Sequence, residues 1–234
     1  PATVTAVKFG VWKDGLSDLK WYEGCKDEYG RWITCVPVSD YQKMGTHYSD
    51  VYVYYSDGTS KMIGSTSFNV NAPYAKSITV KNMNKSAGTF DVVVSGIVCP
   101  SGVAQVRVPV WSKSDLSDLY WYTATKQKDG SYVAKANIKN HNYNYGTYAA
   151  QAYIKGENGI EDQSVRTCFN FDMPKASVWS FDAGNKENYI LVAENVPYGD
   201  KVTGVRFGVW PKATSDLRWY ECVKDEFGRW ILVV

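Results

Sequence analysis

Six carboxylates recur at matching places in this 234-residue chain: Asp18, Asp118 and Asp216 inside Ser-Asp-Leu motifs, and Asp27, Asp129 and Glu226 beside turns. Two carboxylates at a set separation are the machinery of glycoside hydrolysis. Recurrence in every copy argues for a different use, in which the side-chain oxygen caps nearby backbone N–H groups and shapes a turn. Nothing else in the sequence assembles a reaction. The two histidines, His47 and His141, stand alone, no Gly-rich phosphate loop follows a strand, and no nucleophile elbow is present. No catalytic residue is therefore assigned. The five cysteines, Cys25, Cys35, Cys99, Cys168 and Cys222, are odd in number and lack CxxC spacing, so neither a metal site nor a cofactor is expected. Cys25 and Cys35 either meet across a hairpin or remain free thiols at nearby strand positions.

The aromatic residues offer a second kind of chemistry, stacking on sugar rings. Nine Trp, 18 Tyr and eight Phe make up 15% of the chain, too many for a disordered segment. Neighbouring side chains of a strand point to opposite faces, so in Trp21-Tyr22, Trp121-Tyr122 and Trp219-Tyr220 one ring faces inward and the other outward. Trp is the expected core filler, as in many sandwich folds. That arrangement turns Tyr22, Tyr122 and Tyr220 to solvent, where with Trp32, Tyr132 and Trp230 they would form a glycan-stacking surface. The run His141-Asn142-Tyr143-Asn144-Tyr145 reads as a polar loop.

The elements that hold these residues follow from an internal repeat. Val7-Lys8-Phe9-Gly10-Val11-Trp12 recurs at Val106–Trp111 and Val205–Trp210, with successive Trp 99 positions apart. Each copy continues with Ser-Asp-Leu-x-Trp-Tyr, then a turn ending in Gly30, Gly130 or Gly228, then an aromatic two residues on. Residues 203–234 align without a gap on 5–36, identical at 20 of 32 positions. A period of about 99 residues with many short β-rich runs and no sustained helical periodicity predicts an all-β chain of tandem immunoglobulin-like antiparallel β-sandwiches. Proline-bearing flanks at Pro73 and Pro174 divide it into 1–72, a module lacking its first strands, 73–172, a complete one, and 173–234, a module lacking its last strands.

Charge is nearly balanced, 26 Lys+Arg against 24 Asp+Glu for a net of +2, which leaves no electrostatic footprint for nucleic acid. No apolar stretch approaches the roughly 20 residues that cross a bilayer. No basic-then-apolar leader opens at Pro1, so an export signal or wall anchor is expected outside this sequence.

Val106-Arg107-Val108-Pro109-Val110-Trp111-Ser112, Asp118 to Tyr122, Lys126-Gln127 with Asp129 to Tyr132, and Asn140-His141 with Gly146-Thr147-Tyr148 resemble the GBS Bsp-like repeat. The first copy departs from this pattern, with Asp40 in the place of His141 and Gly10 in the place of Pro109. The resemblance implies an exported, extracellular module on the surface or wall of Gram-positive bacteria. It further implies a β-sandwich without catalysis, standing beside peptidoglycan hydrolases or on surface proteins. Peptidoglycan or another wall glycan is the expected partner. The partial end modules raise an alternative: strands near 176–196 of one copy complete the sheet of another head to tail, giving an extracellular filament.

Overall fold

The computed structural model describes residues 2–185, 187–211 and 216–234. Ser215, which opens the third Ser-Asp-Leu motif, lies outside the described residues. The chain is all-β, as its patterning predicts, and the helical segments among the described residues are short 3-10 turns such as Gly15–Asp18 and Ile138–His141. It divides into two compact units, one made of residues up to Ala75 with Ile97–Val106 and Tyr153–Ser164, the other of Lys76–Gly96, Arg107–Ala152 and Val165–Val234.

The first part of the chain forms β1 (Val4–Trp12), β2 (Lys20–Glu23), β3 (Cys25–Lys26), β4 (Trp32–Ile33), β5 (Gly45–Tyr55) and β6 (Ser60–Val70). Their main sheet has the order β2-β1-β5-β6, all antiparallel, with β3-β4 as a separate two-stranded ladder. Alternation sets the two faces of the main sheet. Val7, Val11, His47, Ser49 and Val53 are buried on one side, while Lys8, Gly10 and Trp12 fall opposite Tyr52, Asp50 and Tyr48 on the other.

The middle of the chain forms β7 (Ser77–Asn84), β8 (Thr89–Ser95), β9 (Val103–Trp111), β10 (Tyr120–Thr123), β11 (Thr125–Lys126), β12 (Tyr132–Asn137), β13 (Gly146–Gly156) and β14 (Glu161–Phe171). These make two four-stranded sheets, β10-β9-β13-β14 and β11-β12-β8-β7. Phe90 of β8 meets Tyr148 of β13 edge-on at 5.7 Å and Phe171 of β14 at 5.3 Å, which closes one sheet on the other. Val92, Val94, Val108, Val110, Ala150 and Phe171 complete this core without solvent contact. Burial of such side chains contributes about 1.5–3 kcal/mol each. Gly88, at φ +74°, lets the β7–β8 turn lie on Ile138, whose Cγ1 would be 2.6 Å from any added Cβ.

The last part forms β15 (Ser177–Asp182), β16 (Tyr189–Glu194), β17 (Arg206–Val209), β18 (Arg218–Glu221), β19 (Val223–Lys224) and β20 (Trp230–Val233). They give a sheet of order β15-β16-β20-β19 and the pair β17-β18. Within the second unit the segment 195–202 is seated on the 84–88 turn and the 138–145 loop. Gly199 N donates to Ser86 O (3.0 Å), Tyr198 N to the Tyr145 hydroxyl (2.8 Å), and the Tyr143 hydroxyl to Asp200 (2.9 Å). All five cysteines are free thiols, and the β3-β4 register sets Cys25 opposite Ile33 rather than Cys35.

Candidate functional site

Four of the six repeated acids, Asp18, Asp27, Asp118 and Asp129, are caps. The Asp118 carboxylate accepts from Ser112 N (3.1 Å), Lys113 N (3.0 Å) and the Ser112 hydroxyl, and Asp18 accepts from Lys13 N (3.1 Å) and Asp14 N (3.2 Å). At the hairpin turns Asp27 accepts from Tyr29 N and Arg31 N, Asp129 from Ser131, and Asp225 from Phe227 N and Arg229 N. Asp225, rather than its neighbour Glu226, does this work in the third copy. Burial opposes charge on Asp118, but its hydrogen bonds from Ser112, Lys113 and Asn144 outweigh that and hold its carboxyl below the ordinary carboxylate range.

A buried carbonyl–imidazole–phenol chain lies behind Asp118. His141 Nδ1 is 2.9 Å from the Asp118 carbonyl oxygen, which can only accept, so this nitrogen carries the proton. Nε2 is then the acceptor for the Tyr122 hydroxyl at 3.0 Å, which also accepts from Asn140 Nδ2 at 3.1 Å. His141 is fully enclosed. Desolvation lowers its pKa, against a smaller raising effect of Asp118, and desolvation raises that of Tyr122. With its polar groups paired to each other and closed to solvent, the chain positions strands and offers no reactive atom to a ligand. In the first unit Asp40 takes the imidazole's role and accepts from the Tyr22 hydroxyl at 2.8 Å, while the Tyr41 hydroxyl donates to Val11 O. The ring pair beneath is reversed: His141 over Tyr148 (5.4 Å) becomes Tyr41 over His47 (5.2 Å).

This inward use of the phenol overturns the expected phase of the Trp-Tyr pairs. Trp21, Trp121 and Trp219 are 48%, 43% and 64% exposed. Tyr122, Tyr132 and Trp230 are instead buried, which corrects the expectation that they face solvent. Tyr122 turns in because its hydroxyl finds partners there. Tyr132 and Trp230 lie on β12 and β20, strands flanked on both sides by others in their sheets. Tyr22 and Trp32 are half-buried, Trp32 with Lys26 Nζ 5.4 Å from its ring, and of the six expected surface rings only Tyr220 is exposed.

The exposed aromatic face of the first unit is the outer side of β2-β1-β5-β6. Trp21, opposite Gly10 on the register, lies across that glycine, and a Cβ there would meet its ring at 3.1 Å. From this position it reaches Tyr52 edge-on at 5.4 Å, while Trp12 stacks on Tyr48 at 6.2 Å. Asp50 sits between Tyr48 and Tyr52 on alternate positions of β5, and its Oδ1 accepts the Ser65 hydroxyl at 2.6 Å. In the second unit the corresponding indoles are covered by guanidinium groups, Arg107 at 4.8 Å over Trp121 and Arg166 at 5.1 Å over Trp111. The signal for this face was the Gly10 and Gly208 of the Trp motif, each opposite the outward Trp of its copy.

Among the described residues no group of three or more His, Cys, Asp or Glu is arranged to hold a metal ion, and no helix is long and apolar enough to cross a membrane.

The family model of the GBS Bsp-like repeat matches residues 1–68 and 79–169. No curated protein matches the chain. Among solved structures, a polysaccharide deacetylase from Bacillus cereus is 11% identical, with 44% of this chain and 30% of that chain covered and a TM-score of 0.35. A tetra-tandem repeat from the extending region of a large adhesion protein is 15% identical over 97% of this chain and 57% of its own, also at 0.35. Three fibronectin domains of chicken contactin are 10% identical over 100% of this chain and 79% of theirs, at 0.32. The chain thus spans about a third of the deacetylase and just over half of the adhesion-protein fragment.

Proposed function

The chain belongs to the GBS Bsp-like repeat family, and on that footing we propose that it is a non-catalytic, exported segment of a bacterial surface protein whose tandem modules bind or space the cell wall. The modules are those expected from the sequence, 1–72, 73–172 and 173–234. Peptidoglycan or another wall glycan is the partner. The observation that carries this reading is the aromatic surface on which Trp21 and Tyr48 are exposed beside the half-buried Trp12 and Tyr52, since aromatic rings with polar edges suit the apolar faces of sugar rings. Asp18, Asp27, Asp118, Asp129 and His141 support the absence of catalysis, because they serve as caps and as a buried partner. Co-sedimentation of the purified chain with washed cell walls tests the proposal. Retention in the pellet is expected, and a chain that stays wholly in the supernatant overturns it.

A second reading, a filament of chains joined by strand exchange, draws on β6, an 11-residue strand at a sheet edge and mostly exposed. Electron microscopy of the purified protein separates the two: fibres favour assembly, dispersed particles the wall-bound module.

A further inference from the structure

We infer that the outward aromatic faces of the two units are not equivalent: Trp21, Tyr48, Asp50 and Tyr52 of the first unit form the glycan-binding face, and its ligand is an uncharged pyranose polymer. The inference rests on the glycan reading above and names its site and ligand class.

The first unit combines what a sugar requires. Tyr48 and Tyr52 are four residues apart on one strand, about 13 Å at the rise of an antiparallel strand, longer than a single pyranose ring. Between them Asp50 presents a carboxylate, which has about four acceptor positions. Ser65 is its one hydrogen-bond partner among the described residues, so capacity remains for the hydroxyls of a ring stacked on the flanking aromatics. Gly10 keeps the strand beneath low, which leaves room for the six-membered ring of Trp21 over it.

Charge fixes the class. The charged residues on the three register rows that carry these rings are Lys8, Glu23 and Asp50. Lys8 is already paired with Glu23 at 2.7 Å, so Asp50 sets the sign and disfavours a polyanion.

The second copy lacks most of these parts and keeps only Tyr153, in the place of Tyr52. Pro109 stands opposite Trp121 where the first unit has Gly10, and guanidinium groups occupy the faces of Trp121 and Trp111. In the Gly-Thr-aromatic run that opens the fifth strand of each copy, Ala149 and Gln151 replace Tyr48 and Asp50. Trp219 retains a glycine opposite, Gly208, but β17-β18 is a two-stranded sheet, and among the described residues no third strand places a Tyr-x-Asp-x-Tyr row beside it.

The test is retention of the full chain on chitin beads, on sacculi stripped of teichoic acid, and on immobilised polygalacturonate, with circular dichroism and thermal midpoint checking each variant's fold. Binding to chitin or stripped sacculi is expected, with at least a tenfold loss in Trp21→Ala and in Asp50→Ala and less than a twofold loss in Trp121→Ala. Folded Trp21→Ala and Asp50→Ala variants that bind as the parent does overturn the inference while the wall-binding reading stands, as does a tenfold loss confined to Trp121→Ala. Preferential retention on polygalacturonate overturns the assigned ligand class. A parent chain that binds neither chitin nor stripped sacculi overturns the inference, and one that also fails to pellet with intact walls overturns the wall-binding reading with it.

Discussion

Inside the second unit, Nε2 of His141 lies 3.0 Å from the hydroxyl oxygen of Tyr122, one of the contacts that hold the phenol of the Trp-Tyr dipeptide toward the core. The phenol has partners inside, the imidazole among them. The larger indole is left to the outer face, where it lies against Arg107.

Acid should therefore weaken the fold through His141. Its folded pKa is below the ordinary 6.5 because burial disfavours the cation, so the unfolded chain binds the proton more readily. The stabilisation is complete above about pH 6.5 and is lost as pH falls toward the folded pKa. Thermal midpoints measured from pH 8 to pH 5 should fall in the parent chain and change less in His141→Gln. An equal slope in both would remove His141 as the cause.

Asp118 should act at lower pH and through its caps. Its carboxyl is held below the ordinary 3.8, so its contribution is present above that value and is lost as pH drops through the folded pKa. Asp118→Ala leaves the amides of Ser112 and Lys113 without their acceptor, at a cost of about 1–3 kcal/mol for each group left dry. Urea unfolding of the variant gives the difference directly.

Core and surface rings should separate cleanly. Phe90→Ala empties the space between the two sheets and should cost about 3–5 kcal/mol. Trp121→Ala removes a ring that is 43% exposed and its cation–π contact with Arg107, with an expected cost of about 1 kcal/mol. Chemical denaturation of both variants checks the ranking, and a reversed order would put the indole back in the core.

The all-β class and the copies themselves were legible because turn residues, β-rich runs and the Trp spacing recur together. Asp118 was legible as a cap for the same reason. The phase of Trp121-Tyr122 was not. Alternation shows that the two rings part company, but which one enters depends on a partner about 20 residues away, His141, that strand periodicity does not register. Asp50 was hidden because Tyr48 and Asp50 belong to one copy alone, with Ala149 and Gln151 in their places in the second, so the repeat does not mark them. Gly10 against Pro109 was visible as a departure, but its purpose emerges only once Trp21 is seen lying across it.

Gly199 offers a further test. At φ +52° it occupies backbone space that costs other residues about 1–2 kcal/mol, and a Cβ would stand 2.5 Å from Ala87 O. Gly199→Ala should loosen 195–202 while leaving the Phe90 core intact. Hydrogen exchange should show faster turnover at Gly199 and Tyr198 amides with unchanged protection on β8. Uniform loss across both would mean that the two regions unfold as one.

The seating of Gly199 on Ser86 and Ala87 also governs how tension travels. Residues 198–200, well past Pro174 in the chain, are tied back by the Gly199–Ser86 backbone bond, the Tyr198–Tyr145 bond and the Tyr143–Asp200 bond. Tension applied at the end of the chain should therefore meet these three bonds, and a pulling experiment on Gly199→Ala should show a lower force at the first extension, an unchanged force removing the seating as a point of resistance.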